Sequence, residues 1–204
     1  MAEKVSRILV VLANPYIETD QRNNLVNSLC KTFAETCQAS GIEIDLLDLY
    51  KDTEFDATGD SEGRDTKVIE YQIRLKKAQM VVFFHQVWWF SVPAVLKGFI
   101  DKVFTSGFAF RVYNDLVEGL LDNKKAIVVA VSEKPNWQSN YIYGNILANF
   151  WKKGVLDYCG IRDNKLYQFG SFRSVSDEVI EKWHQKMQDV ANKINSTQSF
   201  LELF

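Results

Sequence analysis

Three stretches of this chain are apolar at almost every position: RILVVLA at residues 7–13, MVVFF at 80–84 and AIVVAV at 126–131. Successive side chains of a strand point to opposite faces, so a strand with one wet face alternates apolar and polar residues. A strand with no polar alternation must be covered on both faces, the condition of a central strand in a parallel sheet. Parallel strands need crossovers, and the intervening segments carry helical periodicity. Residues 24–39 place Leu25, Leu29, Phe33 and Cys37 on one stripe, and Gly41 stops that helix. Residues 65–77 form a polar amphipathic helix with Val68, Ile69, Ile73 and Leu75. Further helices are predicted at 93–104, with Ser91 close to the cap, at 142–158 and at 177–194. Residues 42–49 alternate and read as a strand nearer an edge, and residues 165–169 as a short fifth strand. Strands alternating with helices demand right-handed crossovers. The expected fold is therefore α/β, a three-layer sandwich around a five-stranded parallel sheet in the order 2-1-3-4-5.

A length of 204 residues at 47% hydrophobic content is enough for one domain across residues 1–204. No Pro/Gly/Ser-rich stretch marks a linker. A net charge of −2 and a pI of about 5.8 exclude the basic balance of a nucleic-acid binder. The N-terminal apolar run is too short and too strand-like for a signal peptide. Lys97, Asp101 and Lys102 interrupt the most apolar region, so no membrane insertion is expected. Cys30 and Cys37 share one helical face and read as buried free thiols, and Cys159 is isolated. An odd cysteine count without a secretion signal fits the reducing cytoplasm.

No G-x-G-x-x-G and no phosphate-loop motif is present. Residues 14–23 instead link the first strand to the first helix. A loop opening onto a helix N-terminus offers N–H groups and partial positive charge to a phosphate. Asn14, Thr19 and Asn23 add polar side chains, Asp20 a carboxylate and Arg22 a positive charge. An ordinary helix capped by Thr19 or Asp20 accounts for the same residues, and spacing alone does not choose. After the third strand, Gln86, Val87, Trp88, Trp89 and Phe90 form a bulky aromatic turn, suited to one wall of a pocket for a flat apolar ligand or to a subunit contact. Ser132, Glu133 and Lys134 open the loop after the fourth long strand, with Tyr141 and Tyr143 beyond. The topology gathers these three loops at one sheet edge, which suggests a phosphorylated planar ligand such as a flavin. His85 and His184 read as structural. No His, Cys, Asp and Glu cluster has metal-ligand spacing, so no metal is expected.

At residues 88–104, WWFSVPAVLKGFIDKVF, closing with Gly107-Phe108-Ala109-Phe110, the chain strongly resembles the flavodoxin-like NAD(P)H:quinone oxidoreductases. That family includes the quinone reductases, the general-stress NAD(P)H oxidoreductases and the ancillary subunits of potassium-efflux systems. The similarity extends through the first loop, Asp48-Leu49-Tyr50, Phe55-Asp56 and Tyr158-Cys159-Gly160, nearly the whole chain. The resemblance implies FMN or FAD held by the three loops, NAD(P)H as co-substrate, and two-electron transfer to a quinone or similar acceptor in a ping-pong cycle. It implies flavin contacts at Asn14, Thr19, Asp20, Arg22 and Asn23, from Gln86 to Phe90, and at Ser132, Glu133 and Lys134. It makes Tyr141, Tyr143 and Lys134 the candidates for stabilising charge on the reduced flavin.

The chain departs from the family pattern at four places. Asn14 replaces the His before Pro15, Asp20 a phosphate-binding Ser, and Gln86 the Pro of the aromatic turn. Glu133-Lys134 stands where Gly-Gly lets the backbone approach the flavin. A non-catalytic regulatory module on the same scaffold, such as an ancillary potassium-efflux subunit, is the alternative. A homodimer is expected from the apolar residues Val92, Val95, Leu96, Phe99, Ile100 and Val103 of the third helix, more than a sheet can cover, with the tail Phe200, Leu201, Leu203 and Phe204 docking on the partner.

Overall fold

The computed structural model describes residues 5–16, 22–58 and 65–194. The chain runs β1 (Arg7–Ala13), α1 (Leu25–Ala39), β2 (Glu43–Asp48), α2 (Thr66–Lys77), β3 (Met80–Gln86), α3 (Ala94–Val103) and the hairpin β4 (Phe110–Tyr113) and β5 (Leu116–Gly119). It continues through β6 (Lys125–Val131), a wide turn at Gln138–Ile142, α4 (Ile146–Ala148) prolonged by wide turns over Asn149–Asp157, β7 (Asp163–Phe169) and α5 (Asp177–Ile194). Five parallel strands pair in the order β2-β1-β3-β6-β7, the expected 2-1-3-4-5 once the hairpin is set aside.

Alternate residues of the same strands feed two separate cores. Leu9 and Val11, Val81 and Phe83, Val128 and Ala130 pack with α2, α3 and the α4 segment. Ile8 and Val10, Val82 and Phe84, Ile127 and Val129 pack with α1 and α5. Every residue of β3 is buried, as the unbroken apolar run requires.

Four expectations need correction. The hairpin β4–β5 was not anticipated. Its turn, Asn114-Asp115, has φ of 48° and 62°, the positive pair a two-residue hairpin favours. The fourth helical segment begins at Ile146 rather than at 142. α3 starts after Pro93, and Ser91 gives it no cap. The α3 face is not left over for a partner: Leu96, Phe99 and Val103 are fully buried, and Val92 and Ile100 nearly so. They meet Phe55, Tyr71 and Phe83 in the first core. The β2–α2 loop covers what the sheet does not, because Gly98 lets Ala57 approach the helix and the buried Lys102 ammonium donates to Asp56 O at 2.5 Å. The tail residues 200–204 lie outside the described residues. Apolar exposure falls instead on the hairpin, at Val112, Tyr113, Leu116 and Val117.

Candidate functional site at the carboxyl edge of the sheet

β1, β3, β6 and β7 all end at one edge, where open α/β sheets place their ligands. α1 begins there. Asn24 precedes the first helical residue, so neither Thr19 nor Asp20 is its cap, and both lie outside the described residues. Asn24 makes no side-chain cap hydrogen bond, and the first turn holds no acidic residue. The positive end of the helix dipole is therefore uncompensated from within the helix, the condition of an anion site. Asn14, almost fully buried, donates from Nδ2 to Asn23 O and Asn27 Oδ1, both at 3.1 Å. Among the described residues, nothing donates to the buried Oδ1 atoms of Asn14 and Asn24. A buried acceptor without a donor is costly, so both call for a ligand rich in hydroxyl or N–H groups. Arg22 bonds the start of α5 at Asp177 Oδ1, 2.8 Å, and the β7–α5 loop at Phe172 O, 3.4 Å.

The aromatic turn is a two-residue hairpin turn. Trp88 and Ser91 exchange backbone hydrogen bonds at 3.1 and 2.9 Å, with Trp89 and Phe90 between them at φ of 49° and 59°. Bulky residues rarely hold positive φ, and each costs roughly 1–3 kcal/mol. Trp89 is also 95% exposed, so packing does not repay that strain. Gln86 carries the turn: its Oε1 accepts from Trp88 Nε1 at 3.3 Å, and its Nε2 donates to Asn23 O at 3.3 Å. The residue that replaces the family's Pro thereby ties the aromatic turn to the start of α1. Val87 N donates to Val131 O at 2.8 Å, which fixes the turn to β6.

Phe90 packs against Tyr143, ring centroids 4.5 Å apart and planes tilted by 43°. Phe90 also lines, with Val87, Ser132 and Leu147, a crevice of only about 10 Å³. That crevice is too small for a flat ligand, and the exposed side of the turn is that of Trp89. Tyr141 is 85% exposed and stands apart. Glu133 is held by Arg173, Nε to Oε1 2.5 Å. The Lys134 side chain is exposed, while its carbonyl accepts from Ser132 Oγ at 2.8 Å and Ser171 N at 3.2 Å. A larger groove of about 890 Å³, between α1 and β2, shares Asn14 and Asn24 with this site but none of the aromatic turn.

His85 is structural, as expected. It is fully buried, with Nδ1 bonded to Gln86 O at 2.7 Å and Nε2 accepting from Trp151 Nε1 at 3.1 Å. Burial pushes its imidazole down to about 4, against the Gln86 carbonyl, which pulls the other way. His184 is held by Thr32 Oγ1 at 2.8 Å. Cys30, Cys37 and Cys159 are buried and free, and burial raises each thiol, Cys30 and Cys37 to about 12. Among the described residues no cluster fits a metal ion, and no helix is long and apolar enough to cross a membrane.

The family model for the flavodoxin-like fold matches residues 6–194. The chain belongs to this family. An uncharacterized NAD(P)H oxidoreductase of Haemophilus influenzae is 23% identical over 193 residues, 88% of this chain and 93% of its own length. The FMN-dependent NADH:quinone oxidoreductase 2 of Clostridium perfringens is 28% identical over 190 residues, 87% of this chain and 92% of its own. Among solved structures, the NAD(P)H:quinone oxidoreductase of Methanothermobacter marburgensis superposes with a TM-score of 0.76 at 19% identity, covering 92% of this chain and 99% of that one, a likeness of fold.

Within the flavodoxin-like fold the site has a member that sequence reasoning missed. The β7–α5 loop, through Arg173, reaches both Asn23 and Glu133. The expected strand order held the clue, since it sets the fifth strand beside the fourth and their carboxyl-end loops must then meet. Of the predicted residues, the structure gathers Asn14, Asn23, Gln86 to Phe90, Ser132, Glu133 and Tyr143. It leaves Tyr141 and the Lys134 ammonium at the periphery.

Proposed function

We propose that this protein is an FMN-dependent NAD(P)H oxidoreductase that delivers two electrons to a quinone or a similar electrophile. The observation that carries this reading is the juxtaposition of an α1 N-terminus with no side-chain cap from Asn24, the orphan oxygens of Asn14 and Asn24, and a strained turn holding Trp89 open to solvent. The residues fit the group. The N-terminal turn of α1 and the Asn23 amide would hold the phosphate, and Asn14 Oδ1 and Asn24 Oδ1 would accept from ribityl hydroxyls. Trp89 and Phe90 would lie against the ring. FMN rather than FAD is favoured by the name of the Clostridium perfringens relative.

When bound, FMN supplies hydride acceptance from NAD(P)H and hydride donation to the acceptor, in two successive half-reactions. The chain supplies orientation and charge. Phe90, braced on Tyr143, would exclude water from the ring. The Ser132–Lys134 backbone would meet the ring's polar edge, and the Lys134 ammonium, with Tyr143 and the more remote Tyr141, would stabilise negative charge developing there. The exposed apolar hairpin, Val112, Tyr113, Leu116 and Val117, gives a homodimer its contact surface in place of α3. Three buried free thiols support a reducing, cytoplasmic setting.

The purified protein should be yellow, retain FMN through gel filtration, and elute at twice its 23.5 kDa chain mass. Anaerobically, NADH or NADPH should bleach the bound FMN stoichiometrically, and sustained oxidation of either should require an added quinone. A colourless protein that takes up no added FMN would return the advantage to the regulatory-module alternative.

The strained turn gives a sharper test. Trp89→Gly removes a positive-φ penalty and an indole that packs on nothing. Relief of roughly 1 kcal/mol is offset by the extra chain entropy of glycine, about 0.5–1 kcal/mol. The melting temperature should therefore hold or rise slightly. FMN affinity should fall by about tenfold, because an aromatic surface worth roughly 1.5 kcal/mol is lost from the bound state. A variant that melts lower and binds FMN unchanged would assign Trp89 a folding role instead.

A further inference from the structure

The segment between β6 and α4 is rooted at both ends and loose between them. Before it, Asn136 Nδ2 donates to Gln168 O of β7 at 2.8 Å. After it, Leu147 and the fully buried Trp151 enter the core. Between these roots no residue of the wide turn Gln138–Ile142 is buried, and Trp137, Tyr141 and Ile142 are exposed. The hydrogen bonds here are local. Gln138 N donates to Pro135 O, Tyr143 N to Gln138 O, Asn145 N to Ser139 O and Asn149 Nδ2 to Gly144 O, at 2.8 to 3.2 Å. A segment tied chiefly to itself, with nothing in the core, opens at low cost.

Its far root has the backbone of a hinge. Gly144 and Asn145 hold consecutive positive φ angles of 67° and 53°. The first suits glycine, and the second is tolerated by asparagine at a cost. Asn145 Oδ1 is also buried, and among the described residues nothing donates to it. The segment's position is therefore poorly supported at its own root. What holds it down is Tyr143, whose ring lies 4.5 Å from that of Phe90, centroid to centroid. Beside this contact, Phe90 and Val87 of the aromatic turn face Ser139 and Ile146 across the crevice of about 10 Å³, room for about one water and not for a ring. A flat ligand that is to pack on the side of Phe90 that Tyr143 covers must displace Tyr143.

We propose that residues 138–144 form a lid, hinged at Gly144–Asn145 and latched by Tyr143 on Phe90, that opens to admit a flat aromatic ring to the aromatic turn. The identity of that ring, the flavin of FMN, rests on the reading above; the latch does not. One aromatic pair shifts an equilibrium by about two- to tenfold, so the open form is a minor but accessible state. A ligand that enters only the open form associates more slowly by the open fraction.

The test compares wild type, Tyr143→Phe and Tyr143→Ala, each freed of flavin. It records FMN association by stopped-flow fluorescence, exchange of the Asn145 amide by NMR, and a thermal melt. Asn145 N–H is the reporter because its bond to Ser139 O spans the hinge. Tyr143→Ala should bind FMN about two- to tenfold faster and exchange the Asn145 amide faster by a similar factor. Tyr143→Phe keeps the latching ring and should match wild type within about twofold in both. The Ala variant should lose at most about 4 °C in melting temperature. An association rate unchanged in Tyr143→Ala, a Tyr143→Phe as fast as Tyr143→Ala, or a larger fall in melting temperature would each overturn the lid and leave the FMN reading intact. A wild type that takes up no FMN would overturn that reading alone. The Asn145 exchange then decides the lid: faster in Tyr143→Ala supports it, and unchanged overturns it.

Discussion

Replacing Trp151 by Ala should lower the unfolding free energy by about 4 kcal/mol, the upper range for a large aromatic removed from a packed core. Trp151 is fully buried in the wide-turned segment after α4. Its ring lies 4.7 Å from Phe83 and 5.5 Å from Phe150, centroid to centroid, so it joins β3 to the covering layer. Its indole N–H donates to Nε2 of His85, which is fully buried. Truncation therefore removes packing and strands a polar atom at once, and the two losses compound. Trp151→Phe separates them: it restores most of the ring contact but not the donor, and should cost about 2 kcal/mol. Both values follow from urea unfolding monitored by circular dichroism. A Phe variant as stable as wild type would show that the Trp151–His85 hydrogen bond contributes nothing.

The fold was legible because its central strands have no polar alternative. β1, β3 and β6 are apolar on both faces, and only a doubly covered parallel sheet satisfies that pattern. The hairpin β4–β5 was not legible for the opposite reason. Its Val112, Tyr113, Leu116 and Val117 are exposed, so no burial pattern distinguishes four-residue strands from loop. The α3 face misled because its apolar breadth was weighed against the sheet alone. What covers it, Ala57 at Gly98 and the Lys102 anchor to Asp56, comes from a loop more than forty residues earlier in the chain.

At the site, the aromatic turn declared itself by composition, but its backbone did not. Nothing in Trp-Trp-Phe-Ser announces positive φ at two bulky residues; that strain is imposed by the bonds of Trp88 to Ser91 and of Val87 to β6. Gln86, a departure from the family at the level of sequence, becomes the strut between the turn and Asn23. Glu133 gains its sense only from Arg173, a partner in a different loop that no local motif links to it.

The pH dependence of stability carries the same physics as the Trp151 test, read through protons. Burial holds the His85 imidazole at about 4, whereas in the unfolded chain it returns to its ordinary value of 6.5. Between these values the unfolded state binds the proton and the folded state does not, so stability falls as pH falls. The contribution is complete above about pH 7, about 2 kcal/mol weaker at pH 5, and about 3 kcal/mol weaker once pH drops below 4. His184, also lowered by burial, adds in the same direction. Asp45 and Asp52 are held low by their arginine, lysine and tyrosine partners, so they weaken the fold only as pH falls below the ordinary carboxylate value of 3.8, outside most of this window. His85→Gln removes the titration but keeps a donor for the Gln86 carbonyl and an acceptor for Trp151. Whatever its absolute stability, its unfolding free energy between pH 7 and 4.5 should be much flatter than that of wild type. An unchanged slope would assign the acid sensitivity to His184 and leave the buried His85 without a thermodynamic signature.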